Sequence, residues 1–527
     1  MNTGASEPTD AIPRYILEGR VVTLNSQDEV IERGRVLIRG SRIVAVEPSG
    51  GPLPEAFRNA PRVDTGGTLY PGLIDLHNHF VYDVLTLWRV PKRYLNRTQW
   101  PRHADYATRI SLPIRVLAGH APSARAVVRY IEAKALLAGT TTGQGIRTRV
   151  SGGEALFRGA MRNVEEPRDD HLPAGSTRVM DLHDDAEDIE SFREALKSRA
   201  AYFYHLGEGV DDYAHRRYVD LADHDLVQPS LIGIHSLGLQ RPDLDRMATM
   251  GAKVVWSPFS NLLLYGQTLH LADLLGAGVT FSLGCDWSPT GSKNLLQELK
   301  VARHEAARQG VSLSAKALVR SVTADAARVT GWQTQLGTLR ANALADLLVI
   351  AGTDGDPYDA LISATEKEVR LVIVDGVARF GDRALMESLA FDPGHPTEPW
   401  TVDGVEKAFS LWTDDSPLND VGFDAARALL EEAMADLPGF RHRMDRDERE
   451  LLRPGEPRPF ELVLDNEPQD VFATGPEASG FLSDLDRVAG RIMLDTPTVG
   501  GPAYWELLSA QVNLDDTLKQ QLRSDYA

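Results

Sequence analysis

Two stretches near the start of the chain alternate apolar and polar positions with period two. Residues 15–24 (YILEGRVVTL) and 29–47 (EVIERGRVLIRGSRIVAVE) are also rich in β-branched residues, and that combination predicts half-buried strands. The second stretch is broken at Gly40-Ser41, which reads as a tight hairpin turn. The same signature returns far downstream, at 345–350 (ADLLVI) and over 369–380 with a turn at Asp375-Gly376. Two β segments flanking a long central region predict one small β domain built from both sides of an insertion. The insertion, about 70–335, alternates short apolar runs with helical stretches, the mark of a parallel α/β architecture. Its strands are predicted at 71–77, 140–146, 178–182, 201–206, 231–236, 252–257 and 279–285, and the apolar edge from Met161 to Val164 offers an eighth. The helix that follows Ser123 stops at Gly139, as a C-terminal cap should. Eight parallel strands would close a barrel, which presents its chemistry at the C-terminal strand ends.

From about Gly381 the pattern changes. Phe423 to Leu437 is amphipathic at helical spacing and stops at Pro438-Gly439, and helices are also expected over Trp505–Val512 and Leu514–Tyr526. No catalytic motif occurs there, so this part is expected to be a helical extension packed on the core or on a partner subunit.

Composition narrows the setting more than the activity. With 56 basic against 75 acidic residues the formal charge is -19, which argues against nucleic-acid or anionic-membrane partners. Cys285 is the sole cysteine, so an intrachain disulfide is impossible, as fits a reducing compartment. The polar N-terminus from Met1 to Ile12 lacks a signal-peptide pattern, and no apolar run reaches membrane-spanning length. A cytoplasmic location is expected.

The chemistry begins at Pro71-Gly72-Leu73-Ile74-Asp75-Leu76-His77-Asn78-His79. Side chains alternate along a strand, so His77 and His79 point the same way, and two converging neutral imidazoles are the start of a metal site. Later predicted strands also end in chemically capable groups: His205, with Glu208 three residues on, then His235, then Asp286. Asp75 shares the parity of the two leading histidines; it either orients a ligand from behind or satisfies buried backbone.

These pieces, in this order, resemble the amidohydrolase superfamily, and within it the cytosine deaminase/chlorohydrolase/imidazolonepropionase-like branch. The resemblance covers about residues 15–380. It rests on PGLIDLHNH at 71–79, ALLAGTTT at 135–142, HLGE at 205–208, the strand ending in His235, SPFSNLLL at 257–264, LGCD at 283–286 and LGTLRANALADLLVI at 336–350. It implies that His77, His79, His205 and Asp286 bind one divalent metal ion, Zn²⁺ ahead of Fe²⁺. His235 would then hydrogen-bond the attacking water or the developing oxyanion, and Glu208 would shuttle the proton between that water and the leaving group. Catalysis is thus expected from Glu208, His235 and Asp286. Binuclear relatives place a bridging carboxylated lysine near the fourth strand. The segment around His183 has no lysine and Lys134 lies on a helical pattern, so a single metal is expected. Cys285 adjoins Asp286 and points away from the lumen.

Substrate contacts are expected from Gln144, Trp100, Trp256 and Asn261, and from the loop Trp287-Ser288-Pro289-Thr290-Gly291. Phe80 to Arg102 carries Tyr82, Trp88, Tyr94 and Trp100 with Arg89, Lys92, Arg93, Arg97 and Arg102. It reads either as an aromatic, basic lid that stacks a flat ring or pairs with a substrate carboxylate, or as a packed loop with surface charges. The full expectation is an α/β protein: a disordered tail (1–14), a (β/α)8 TIM barrel (70–335) inserted in a small β-sandwich (15–69 and 336–380), and a mainly helical extension (381–527). Its function would be mononuclear metal-dependent hydrolysis of a non-peptide C–N bond, by ring amidine deamination or amide hydrolysis, in a homo-oligomer, a dimer, acting on a small molecule. The alternatives are a heteroaromatic dehalogenating hydrolase and a catalytically silent structural relative.

Overall fold

Alternation in the flanking segments sends successive side chains to opposite faces of one sheet. The chain described here is a computed structural model covering residues 12–146, 148–150, 159–391, 395, 397–414, 416–451, 460–465 and 492–527. Of the tail expected over 1–14, residues 1–11 therefore lie outside the described residues. Strands β1 (Arg14–Val22), β2 (Val30–Arg39), β3 (Arg42–Pro48) and β4 (Arg62–Pro71) come from the first flank. On β1, Tyr15 and Leu17 enter one apolar core, while Ile16 packs with Leu37 and Phe57 on the other side.

The central region supplies β5 (Leu73–Asp75), β6 (Thr140–Gly143), β7 (Thr148–Val150), β8 (Arg162–Asn163), β9 (Ser176–Arg178), β10 (Tyr202–Leu206), β11 (Leu231–His235), β12 (Lys253–Trp256) and β13 (Phe281–Leu283). All but β7 run parallel, in the orders β5-β6-β8 and β9-β10-β11-β12-β13. The two arcs meet at both ends. The Gly175 N–H donates to Val164 O at 2.9 Å, and Asn78 and Asp286 form a parallel bridge in which Asp286 N donates to His77 O at 2.8 Å. These eight strands make an α/β barrel, with the candidate residues gathered beyond its C-terminal strand ends. The strand expected at 178–182 lies earlier, at Ser176–Arg178. The apolar residues that suggested it, Val179 and Leu182, are buried in the loop after the strand, and burial alone does not separate a strand end from a packed loop.

The second flank adds β14 (Leu347–Ala351), β15 (Val369–Val374) and β16 (Val377–Asp382). Pairing of β14 with β4, Leu348 opposite Tyr70, joins the two flanks in one sheet. The sheet does not stop where the helical extension was expected to begin. β17 (Glu398–Val402) and β18 (Val405–Phe409) continue it beyond β16, in the order β17-β18-β16-β15-β14-β4-β1-β2-β3. The signal was present in the sequence: Asp403-Gly404, both at positive φ, is a two-residue hairpin turn between alternating segments. A further short strand, β19 (Phe460–Leu462), pairs with β7.

Helices in the extension cover Phe423–Ala435, Leu437–Leu451, Pro502–Ser509 and Asp516–Asp525. Pro438-Gly439 does not end helical structure as expected. Asp436 breaks the first helix, and Pro438 falls in the first turn of the next, where its missing N–H costs nothing. The extension packs on the barrel. Tyr130, on helix Ala121–Leu137, stacks on Phe423 at 5.5 Å, and the buried Arg129 guanidinium donates to the carbonyls of Leu411, Leu418 and Val421.

Candidate metal centre and active site

The barrel closure builds the centre. His77 and His79 flank the bridge residue Asn78, and Asp286 sits opposite on the β13 end. Backbone contact this close requires a residue without a side chain at 284: a Cβ on Gly284 would lie 2.6 Å from the Cβ of His77. Asp75 straps the junction. Its Oδ1 accepts from the N–H groups of His77 (3.3 Å) and Cys285 (3.2 Å), and its Oδ2 accepts from Asn78 Nδ2 at 3.1 Å. Of the two roles left open for Asp75, these contacts are those of a group that satisfies buried backbone. Burial pushes its carboxyl up to about 7, against the pull of those donors.

Four groups turn their polar atoms to one point. Asp286 Oδ1 lies 3.1 Å from His77 Nε2 and 3.5 Å from His79 Nε2, and His79 Nε2 lies 3.3 Å from His205 Nε2. One ligand atom each from His77, His79 and Asp286 falls within 4.8 Å of the others, and so does one each from His77, His205 and His235. All five residues are buried. His77 Nδ1 and Nε2 and His205 Nδ1 have no hydrogen-bond partner among the described residues, a costly state for buried polar atoms. A cation between the nitrogens removes the penalty at the inward-facing ones. Burial also pushes His77 down to about 4 and His205 well below its ordinary range, which keeps both as neutral imidazoles, the form that binds metal. Although burial opposes it, the surrounding imidazoles hold the Asp286 carboxyl well below the usual carboxylate range. Three imidazole nitrogens and one carboxylate oxygen are a donor set suited to Zn²⁺ or Fe²⁺, so the residues present fit a divalent cation. Both His235 (φ 63) and Asp286 (φ 68) hold left-handed backbone, a strained conformation for non-glycine residues that surrounding structure must enforce.

Behind this centre each polar group has a defined partner. Ser260 donates to Asp286 Oδ2. Asn261 Oδ1 lies 3.0 Å from His235 Nδ1, while its amide donates to Thr268 Oγ1 at 3.0 Å, which also accepts from Trp256 Nε1 at 2.8 Å. The chain Trp256–Thr268–Asn261 therefore places the proton on His235 Nδ1 and leaves Nε2 an acceptor facing the site. The polar atoms of Trp256 and Asn261, both expected at the substrate, are engaged in this support. Gln144 donates to Glu165 (2.7 Å) and Thr177 (2.8 Å). His183 is exposed, Cys285 is buried on the strand, and Lys134 is bonded to Asp83 O, Ser288 and Asp495.

Glu208 is pinned from the lid. Gly207 and Gly209 both adopt positive φ, and a Cβ on Gly209 would lie 2.5 Å from Leu95 O. This close approach lets Arg97 N–H donate to Glu208 O at 3.2 Å. The Glu208 carboxylate accepts from Tyr265 O–H at 2.6 Å, and Tyr265 in turn accepts from Trp100 Nε1 at 3.1 Å. Its other oxygen lies 3.6 Å from Arg97 Nε and 3.8 Å from His235 Nε2. Of the five lid cations, Arg97 alone is turned inward; Arg89, Lys92, Arg93 and Arg102 are exposed. The lid aromatics are buried against one another and against Trp287, with Trp100 at 5.8 Å and Tyr82 at 5.0 Å from its ring. Ser260, Tyr265 and Asp465, the last bonded to His79, were not singled out from the sequence. The first two stand within or just beyond SPFSNLLL; Asp465 carries no comparable signal.

Comparison with known proteins places this geometry. Residues 184–379 match the model of the amidohydrolase family. The 5-methylthioadenosine/S-adenosylhomocysteine deaminase of Syntrophobacter fumaroxidans is 26% identical over 70% of this chain and 93% of its own length. The S-triazine hydrolase of Gordonia rubripertincta is 24% identical over 43% of this chain and 55% of its own. Two solved structures share the fold: a triazine hydrolase variant (TM-score 0.54, 19% identity, 69% of this chain and 94% of that one) and guanine deaminase from E. coli (TM-score 0.51, 16% identity, 69% and 98%). Among the described residues no helix is long and apolar enough to cross a membrane. Over residues 184–379 the chain is thus similar to the amidohydrolase family, and its barrel is the fold of these solved structures.

Proposed function

We propose that the protein is a mononuclear metal-dependent hydrolase of a non-peptide C–N bond, and that it deaminates a ring amidine. The observation that carries this reading is the convergence of His77, His79, His205 and Asp286 on one buried point, with Glu208 beside it. These four residues would hold one divalent cation, Zn²⁺ ahead of Fe²⁺. Such a cation supplies Lewis acidity and lowers the pKa of a bound water to about 7.

The remaining chemistry belongs to side chains. Asp286, with one oxygen held by Ser260, accepts a proton from the attacking water. His235 faces the site through Nε2, 3.8 Å from Glu208. In the tautomer that Asn261 sets, this Nε2 accepts a hydrogen bond from the attacking water and so orients it. Glu208 carries a proton to the departing nitrogen, so that the C–N bond breaks with neutral ammonia as the leaving group. The proton that Asp286 takes up and the proton left on the added hydroxyl are both returned, one to the ring nitrogen and one through Glu208 to the amino group, while the water oxygen becomes the ring carbonyl, so atoms and charge balance. Tyr265 and Arg97 fix both Glu208 oxygens, and a positioned acid–base carboxylate contributes about 10²–10⁴ in rate. Relatives named as 5-methylthioadenosine/S-adenosylhomocysteine deaminases support an amino-substituted ring as substrate.

A screen of metal-replete protein against aminopurine nucleosides, amino- and chlorotriazines and cyclic amides tests the reading, with ammonia and chloride release as readouts. Ammonia from an amino-heterocycle supports it. Chloride release without ammonia would move the assignment to a dehalogenating hydrolase. A protein that binds no divalent metal would refute it outright.

A further inference from the structure

The C-terminal extension reaches the candidate metal centre. Strand β19 pairs with β7, and Phe460, Leu462 and Leu464 are all buried in the main apolar core. Three anchors at alternate positions fix the segment, and the next residue, Asp465, is delivered onto His79. Its Oδ2 lies 2.8 Å from His79 Nδ1, with the two side chains 11% and 3% exposed. That contact decides which nitrogen of His79 carries the proton. With Nδ1–H given to Asp465, the Nε2 lone pair is left facing His205 and Asp286, at 3.3 and 3.5 Å. By contrast, the Nδ1 atoms of His77 and His205 have no hydrogen-bond partner among the described residues.

We propose that Asp465 is a positioning residue of the metal centre, orienting His79 and fixing its tautomer, so that residues 460–465 are part of the active site rather than an appendage to it. The inference rests on the metal-site reading of His77, His79, His205 and Asp286. The carboxylate acts through the imidazole. A partner of this kind raises ligand basicity and typically changes metal affinity by about 10–100-fold.

The test is chelator competition for Zn²⁺ on the full-length protein, for the parent, Asp465→Ala and Asp465→Asn, each first checked for folding by circular dichroism. Asp465→Ala is expected to weaken Zn²⁺ binding about 10–100-fold. Asp465→Asn, which keeps an oxygen acceptor for Nδ1–H, is expected to recover most of the loss; general loosening of the extension would give no such recovery. In a His79→Ala background Asp465→Ala should add nothing further. Equal affinity for parent and Asp465→Ala, or the same loss with and without His79, overturns the inference while leaving the metal site intact. A parent that binds no divalent metal overturns the site itself, and this inference with it.

Discussion

Replacing Glu208 by Gln separates proton transfer from every other property of the site. The amide matches the carboxylate in size and still accepts the Tyr265 hydroxyl, now at 2.6 Å. It cannot take up or release a proton at neutral pH. Loss of positioned acid–base catalysis is worth about 10²–10⁴ in rate, or about 2.7–5.4 kcal/mol of barrier at 1.36 kcal/mol per decade. The ion pair with Arg97 at 3.6 Å is also lost. Arg97 keeps Asp181 at 3.8 Å and the Val179 carbonyl, so the folding cost is limited to about 1.5–3 kcal/mol for one charged contact. The nearest member of the histidine cluster, His235, is 3.8 Å from the carboxylate, and Glu208 is not among the converging ligand atoms, so metal content should not change. The assay is steady-state ammonia release at saturating substrate with parallel elemental analysis of the same sample. A turnover number within threefold of the parent at equal metal content would remove Glu208 from the proton path and refute this mechanism.

Purified parent protein should carry close to one equivalent of Zn or Fe, and His77→Ala should carry none, since His77 belongs to both groups of converging ligand atoms; elemental analysis decides. Asp495 bridges two buried ammonium groups, Lys134 at 2.6 Å and Lys293 at 2.7 Å, so Asp495→Ala leaves both uncompensated and should lower stability by about 3–5 kcal/mol, read as a shifted denaturant midpoint; a change under about 1 kcal/mol would show that the cluster does not anchor the extension. Burial lowers Lys300 from its usual 10.5 to about 8. Between these values the unfolded chain binds the extra proton, so stability should rise with pH from about 8 to 10.5. Lys300→Met should flatten that rise, and an unchanged profile in urea titrations across the window would contradict it.

The proposed metal ligands could be singled out because each lies at, or within a few residues of, the C-terminal end of a strand. Chain direction and barrel geometry then bring them together whatever the loops do. The β17–β18 hairpin was legible too, in its Asp403-Gly404 turn, but the chain's change of character after Gly381 masked it. Trp256 and Asn261 show the limit of such reading. Sequence position puts them at the barrel mouth, but only the packed structure shows that Thr268 gathers their polar atoms and turns Asn261 onto His235.

The sequence by itself therefore determined the alternation that makes the barrel and its flanking sheet, and the histidines and aspartate at the strand ends. Both are set by local periodicity, which side-chain direction on a strand fixes within a few residues. Tertiary structure alone decided what surrounds them. Arg97 is selected from five similar cations by the approach of the lid to Gly209. Asp465 meets His79 across 386 residues of chain, a distance over which no periodicity carries information. Contacts of that range follow from how whole elements pack, and the extension's burial against the barrel makes this one.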